Sequence, residues 1–357
     1  MSAPSSVLII GAGEFGIATA RALIHDPKYA HSKITILDAS PQLPNRSGAS
    51  VDSSRIIRAD YARLPYAKLG LEAQRLWRDT SETGWGGQGR YHEPGIVLTA
   101  NTGASWYVQN SLENVRKLAG SGLEGLDINM VEELPDQNAI RKATGHSGVS
   151  GDTGYANWGA GWADAEAVMR YVIECLRRES GGRVALRSGA KVHQLLFQPS
   201  PTDNRGRSRC KGAMLEDGSG VTADLVILAA GAWTPTLVDL QGRAMATGQT
   251  LAYLNLSDQE ARLLASRPII FNMSIGMFII PPRGRELKVA RHGYGYRNPK
   301  MRSSSEDGSV KAVSVPEVGV PIPREAEQQC REALAEMIPE LRDRPFSRTR
   351  ICWYCDS

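Results

Sequence analysis

The chain has 357 residues, with 42 lysines and arginines against 38 aspartates and glutamates, 41% hydrophobic residues and five cysteines. That length can bury a large core and predicts two domains, while a mild positive balance with no clustered basic block argues against nucleic-acid binding. No apolar run is long enough to span a bilayer, the first six residues lack the form of a signal peptide, and the odd, scattered cysteines argue for a reducing compartment over a disulfide framework; the expectation is an intracellular protein without nucleic-acid or membrane partners.

Val7 to Ile10 is an apolar run of β-forming residues. It meets Gly11, Gly13 and Gly16 and then the helical pattern Ile17, Ala20, Leu23, Ile24, which reads as strand, tight turn and helix. In a dinucleotide site the first glycine makes the turn, the second admits the pyrophosphate and the third lets helix pack on strand. The anion then rests on the helix N-terminus. A second apolar run, Lys33 to Leu37, ends at Asp38, roughly 20 residues beyond the glycines, where an acidic residue holds a ribose hydroxyl.

Residues 41–50 read as a loop over this site. They lead to Arg55-Ile-Ile-Arg58, whose arginines form either a solvated basic edge or a pair of cations aimed into a cleft, since guanidinium is well shaped to clamp a carboxylate. Residues 66–80 predict an amphipathic helix with Leu69, Ala73, Leu76 and Trp77 on one side. Gly84 to Gly95 marks a first boundary. Beyond it the pattern gives a strand at 95–99, a helix at 104–118, a helix-rich stretch at 132–144 and a helix at 165–179 capped by Asp164. Strands are expected at 184–186 and 190–197, then a hairpin loop at 199–210. Leu225 to Ala230, following Ala223-Asp224, is continuously apolar and predicts a strand buried on both faces of a parallel sheet. Runs at 250–256, 269–271, 276–280 and 287–290 are spaced like antiparallel strands, and a helix at 324–337 precedes Cys352-Trp-Tyr-Cys355.

Taken together, the glycine triplet with Asp38, Ser54-Arg-Ile-Ile-Arg58, Gly231-Ala-Trp233, Leu287-Lys-Val-Ala-Arg-His292 and Cys352-Trp-Tyr354 resemble the flavin-dependent amine oxidases typified by monomeric sarcosine oxidase, within the D-amino acid oxidase superfamily. The fungal branch of L-pipecolate or L-saccharopine oxidases and fructosyl amino acid oxidases is the most similar. The fold class implied is α/β, α+β overall. A Rossmann-like FAD-binding domain is threaded discontinuously through residues 1–92, 157–243 and 351–357, and a mixed or antiparallel-sheet catalytic domain takes 93–156 and 244–350. The implied reaction is oxidation of the C–N bond of a secondary amine, an N-substituted or cyclic amino acid, by hydride transfer to flavin N5, with O2 as acceptor and hydrogen peroxide as product. The implied protein is a monomer of the cytoplasm or peroxisome, with no metal.

The resemblance also implies site residues. FAD contacts are Ile10, Gly11, Gly13, Glu14, Phe15, Gly16, Asp38 and Ala39, then Ser54 and Arg55 near the flavin, with Val192, Ala230, Gly231 and Trp233. Cys352 matches the cysteine bonded to the flavin 8α carbon. By spacing alone, Cys352 and Cys355 also read as a redox pair, half a zinc site or structural thiols, although no second ligand pair is visible. Lys288 matches the lysine that activates oxygen, against the plainer reading of an outward-facing strand lysine. His292 matches a histidine near the substrate, against a surface histidine, and Arg58 matches the arginine that binds the substrate carboxylate. Members of the family continue well beyond the attachment cysteine. The resemblance therefore implies a chain that, as written, is poorly soluble or substantially flavin-free. Two rival classes remain, a nicotinamide-dependent dehydrogenase and a non-catalytic nucleotide-binding remnant.

Overall fold

A computed structural model describes residues 3–121, 125–199, 208–303 and 310–356. Ser6–Ile10 forms an inner strand of a four-stranded parallel sheet, in the order Leu225–Leu228, Ser6–Ile10, Lys33–Leu37, Val184–Arg187. Side chains on a strand alternate between faces. Val7 and Ile9 therefore join Ile34 and Ile36 against helices Glu14–His25 and Ala165–Glu179, through Ile17, Ala20, Val168, Val172 and Leu176. Leu8 and Ile10 face the other way, onto Leu195, Ala213 and Leu215 of a three-stranded antiparallel sheet. The Asp164 side chain caps the second helix by accepting from Ala167 N, as expected.

A mixed eight-stranded sheet makes the second layer system. Its order is Arg348–Asp356, Met245–Asn255, Glu286–Arg291, Met277–Arg283, Ile269–Asn272, Ile96–Ala100, Thr153–Asn157, Val131–Leu134. Ile269–Asn272 runs parallel to Ile96–Ala100 and the other neighbouring pairs are antiparallel. Leu254, Ile279, Leu287 and Val289 cover one face with helices Asp258–Ala265 and Arg324–Met337. Leu251, Tyr253, Ala290 and Cys352 point to the other face, toward Trp162. No helix among the described residues is long and apolar enough to cross a membrane.

Three expectations change. Helix Leu64–Trp77 forms, but it buries Ala67, Leu71 and Gln74 and leaves Leu69 and Leu76 exposed, because the surface it meets lies one helical ridge away from the most apolar stripe. The stretch 132–144 begins as strand Val131–Leu134, and only Gln137–Thr144 is helical, capped by Asp136. Leu225–Leu228 is the edge strand of its parallel sheet and all four residues are half-buried, whereas its apolar run implied a strand buried on both faces. An apolar run reports what a strand packs on, not how many neighbours it has. The expected hairpin loop at 199–210 falls largely outside the described residues, although the strands flanking it, Val192–Pro199 and Ser208–Leu215, do pair antiparallel.

Candidate active site

The glycine loop sits at the C-terminal end of the inner parallel strand, with Gly11 N bonded to Leu37 O at 2.8 Å. An added Cβ at Gly11 would meet Ala229 O at 2.2 Å, and one at Gly16 would meet Gly11 O at 1.9 Å. At Gly13 it would meet only Ser50 Oγ, at 3.0 Å. The protein's own backbone thus requires two of the glycines, while the third keeps open a cradle before a helix that has no side-chain cap. A pyrophosphate fits that cradle and that chemistry. Gly13→Val is expected to fold with a Tm near wild type and to purify with little flavin, and Gly16→Val to fail in folding. Flavin absorbance per protein and thermal melts check both; a flavin-replete Gly13→Val protein overturns the assignment.

Asp38 closes the loop's far side. Its Oδ2 accepts from Ala12 N at 2.9 Å and its Oδ1 from Ser40 N at 2.8 Å, with Asn45 Nδ2 more distant at 3.4 Å. An ionised carboxylate has about four acceptor sites, so capacity remains for a hydroxyl donor. Ile10 is buried beneath the loop, whereas Glu14, Phe15 and Ala39 are exposed around it. Phe15 is 75% exposed. Desolvation raises the Glu14 carboxyl above its ordinary range, with Arg55 opposing. Val192 and Ala230 pack beside Ile10 in the core under the loop. Gly231 begins the short 3-10 helix Gly231–Thr236, which carries Trp233 at the surface.

A second group gathers about residues 48–55. Glu14 N donates to Ser50 Oγ at 2.8 Å, tying this segment to the glycine loop. Arg350 donates to Val51 O and Gly48 O, each at 2.7 Å, tying it to the strand of Cys352. Arg55 Nη2 lies 3.4 Å from the buried Cys352 Sγ. Lys288 is not outward-facing. Its neighbours Leu287 and Val289 take the helix-covered face of the sheet, so the pleat turns Lys288 to the Tyr253 and Cys352 face, where it is 2% exposed. Lys288 Nζ donates to Asp52 Oδ2 at 3.1 Å and to Ser54 O. Burial depresses it to about 8, against the upward pull of Asp52 and with a further push down from Arg55. Ser53 Oγ, beside this cluster, is buried without a hydrogen-bond partner among the described residues.

Arg58 stands apart from Arg55. It is buried, donates to Asp60 O and, at 3.3 Å, to Tyr107 Oη, and lies over the Tyr61 ring at 4.5 Å. No carboxylate among the described residues makes a direct ion pair with it, but the buried carboxyl of Asp60, two residues on, acts on it electrostatically. Arg58 lines a cleft of about 510 Å³ with the aromatics Tyr61, Tyr66, Trp106 and Tyr107, with His292, and with the charged Arg63 and Asp356. His292 opens onto the cleft, and its ring lies 6.3 Å from that of Tyr354, the second residue after Cys352. Surrounding protein, then Arg58, push its imidazole below the ordinary range.

The structure therefore brings Gly13, Arg55, Lys288 and Cys352 into one connected cluster, with Arg58 and His292 sharing the adjoining cleft. Val192 lies in the core under the glycine loop, and Trp233 is exposed on the short helix Gly231–Thr236. Two buried carboxylates escaped the sequence reading. Asp52 binds Lys288 and Arg55, and Asp60 accepts from Asn157 Nδ2 and, at 3.0 Å, from Tyr155 Oη. Each precedes or follows a flagged arginine by two or three residues, which was the available signal.

A parallel βαβ-type nucleotide layer, a mixed sheet over it and a cleft holding a buried arginine are the architecture of a flavin-type oxidoreductase. The chain belongs to the FAD dependent oxidoreductase family (DAO), whose pattern it matches over residues 6–356. It is similar to the amino acid oxidase imqH of Aspergillus flavus, 30% identical over 410 aligned residues, covering 100% of this chain and 84% of the relative. The L-saccharopine oxidase of Schizosaccharomyces pombe is 28% identical over 99% of this chain and 80% of its own. Among solved structures, the deglycating enzyme fructosamine oxidase of Aspergillus fumigatus (Amadoriase II) superposes with a TM-score of 0.76 at 29% identity, covering 99% of this chain and 76% of that one.

Proposed function

We propose that this flavoenzyme oxidises the C–N bond of an N-substituted or cyclic amino acid and passes the electrons to O2, yielding hydrogen peroxide. The observation that carries this is Arg58, a buried cation that makes no direct ion pair among the described residues and faces an aromatic cleft next to His292, although Asp60 acts on it from behind and Asp356 lines the same cleft. A substrate carboxylate can take up that guanidinium directly, in the bidentate geometry it favours. Its relatives named above are oxidases of amino acids, saccharopine and a fructosamine, which share an amine beside further polar groups. When bound, FAD supplies two-electron acceptance from the carbon next to nitrogen and delivery to oxygen.

The chain's own residues bind, orient and shield. Tyr61, Tyr107 and Trp106 wall the cleft and reduce the water around the Arg58 contact, which strengthens it. His292, held neutral by its surroundings, can accept a hydrogen bond from the amine without repelling it. Lys288 places a buried positive charge on the sheet face that also carries Cys352, suited to negative charge developing on oxygen. Asp38, Gly13 and the first turn of helix Glu14–His25 hold the nucleotide. Cys352, buried beside Arg55, would hold the flavin through a thioether to its 8α carbon.

Flavin-loaded protein should consume oxygen and form peroxide with N-methyl and cyclic amino acids. It should be nearly inactive with the matching amines that lack a carboxylate. Oxygen consumption with none of these compounds overturns the proposal. Intact mass after denaturation should show flavin retained on the wild type and on Cys355→Ser, and lost from Cys352→Ser; flavin retained on Cys352→Ser refutes the thioether at that position.

A further inference from the structure

Asp52 is a buried carboxylate whose side chain is wholly shielded from solvent. Its two oxygens do different work. Oδ1 accepts from Tyr253 Oη at 2.6 Å and from Ser53 N at 2.8 Å. Oδ2 accepts from Lys288 Nζ at 3.1 Å and also from Arg55 Nη1. One anionic oxygen thus serves two cations that arrive from separate elements, the segment at residue 55 and the strand Glu286–Arg291. Lys288 has three N–H donors. Two are spent on Asp52 and Ser54 O, and the third has no acceptor among the described residues.

We propose that Asp52 is the positioning residue of this site, a single carboxylate fixing Lys288 and Arg55 together. The proposal rests on the reading of Lys288 as the cation that serves oxygen. Its reasoning is electrostatic. A buried lysine and a part-buried arginine without a shared anion would repel each other and, in lysine's case, favour loss of the proton. With Asp52 between them the cluster retains one net positive charge, available to a developing anion. The anchoring of Oδ1 by Tyr253 and Ser53 N keeps the carboxylate from rotating toward either cation alone.

The groups facing Lys288 are few. They are Asp52 and Arg55 from the loop, Tyr253 from the neighbouring strand, Phe278 with its ring 5.8 Å away, and Cys352 from the strand beyond. Asp52 in turn feels Arg350, which is occupied by two carbonyls, and Arg348, which lies over the Tyr253 ring and is paired with Glu286.

The test uses the flavin-loaded protein with carbon-13-labelled lysine. The Lys288 signal, assigned by its loss in Lys288→Met, is titrated against pH alongside the rate of oxygen consumption by reduced enzyme. In Asp52→Asn the Lys288 midpoint should fall by about one pH unit or more. In Arg55→Gln it should rise, because the competing cation is gone. Asp52→Glu should restore part of the wild-type midpoint. An Asp52→Asn midpoint that matches wild type, or an Arg55→Gln midpoint that falls, overturns the proposal. If Asp52→Asn does not fold, the opposite shift in Arg55→Gln and the partial shift in Asp52→Glu decide it. If the midpoints move as stated while oxygen consumption ignores them, Asp52 keeps its role and the oxygen assignment of Lys288 fails. If Lys288→Met slows oxygen consumption yet Asp52→Asn leaves the midpoint in place, the assignment of Lys288 stands and that of Asp52 falls.

Discussion

Lys288→Met is expected to leave anaerobic reduction by the amine near the wild-type rate and to slow oxygen consumption by the reduced enzyme about 10²–10³-fold. The asymmetry follows from when the charge is needed. A fixed cation contributes little while a neutral amine gives up a hydride. It contributes most when oxygen gains negative charge in a site that excludes water. The variant should fold, because Asp52 keeps Arg55, Tyr253 and Ser53 as partners after the lysine is gone. The same residue gives a pH dependence of known sign. Burial sets Lys288 at about 8, so it is protonated below that pH and neutral above it. Oxygen consumption should therefore be fast at pH 7 and decline through pH 8, and Lys288→Met should abolish the decline. Stopped-flow mixing of reduced enzyme with oxygen measures both effects. Unchanged reoxidation in Lys288→Met excludes the role.

Arg58→Ala is expected to lower kcat/KM for amino-acid substrates by about 2–5 kcal/mol, roughly 30-fold to several thousand-fold. The upper end applies where the ion pair is fully desolvated, and Arg58 is only 8% exposed before any substrate arrives. The loss should be confined to carboxylates. An amine of the same shape without a carboxylate should be turned over equally, if poorly, by both proteins. An equal loss on that amine would mean that Arg58 holds up the cleft wall, through Tyr61 and Tyr107, and clamps nothing. Arg58→Lys should recover only part of the activity, since an ammonium lacks the planar fork.

Much of the nucleotide layer was legible because its signals are local. Glycines at fixed offsets, two apolar runs and an acidic residue at the second strand's end all lie within one stretch of chain, and Asp164 announced its helix in the same way. Lys288 was harder. In Glu286-Leu-Lys-Val-Ala290 the residues on either side are apolar and buried, so alternation alone could not say which face the lysine takes. The answer comes from register with Tyr253 and Ile280. Asp52 was invisible for the same reason at greater range, since its partners lie 236 and 201 residues away in sequence. Helix Leu64–Trp77 shows a different limit. Its apolar stripe was real but solvent-facing at Leu69 and Leu76, because burial is decided by the neighbouring surface as well as by the helix.

Strand Met245–Asn255 pairs on one side with Arg348–Asp356 and on the other with Glu286–Arg291. Cys352 lies opposite its Gln249, and Lys288 opposite its Tyr253. Four residues of one extended strand therefore act as a ruler between thiol and ammonium, about 13 Å along its length at ~3.3 Å per residue. The even count also keeps both on one side of the sheet. A single residue inserted between Gln249 and Tyr253 would leave each strand pair able to form, yet would rotate one of the two groups to the opposite face. The spacing between Gln249 and Tyr253 can thus change only in pairs if both groups are to keep one face, while Tyr253 itself is held in place by its bond to Asp52.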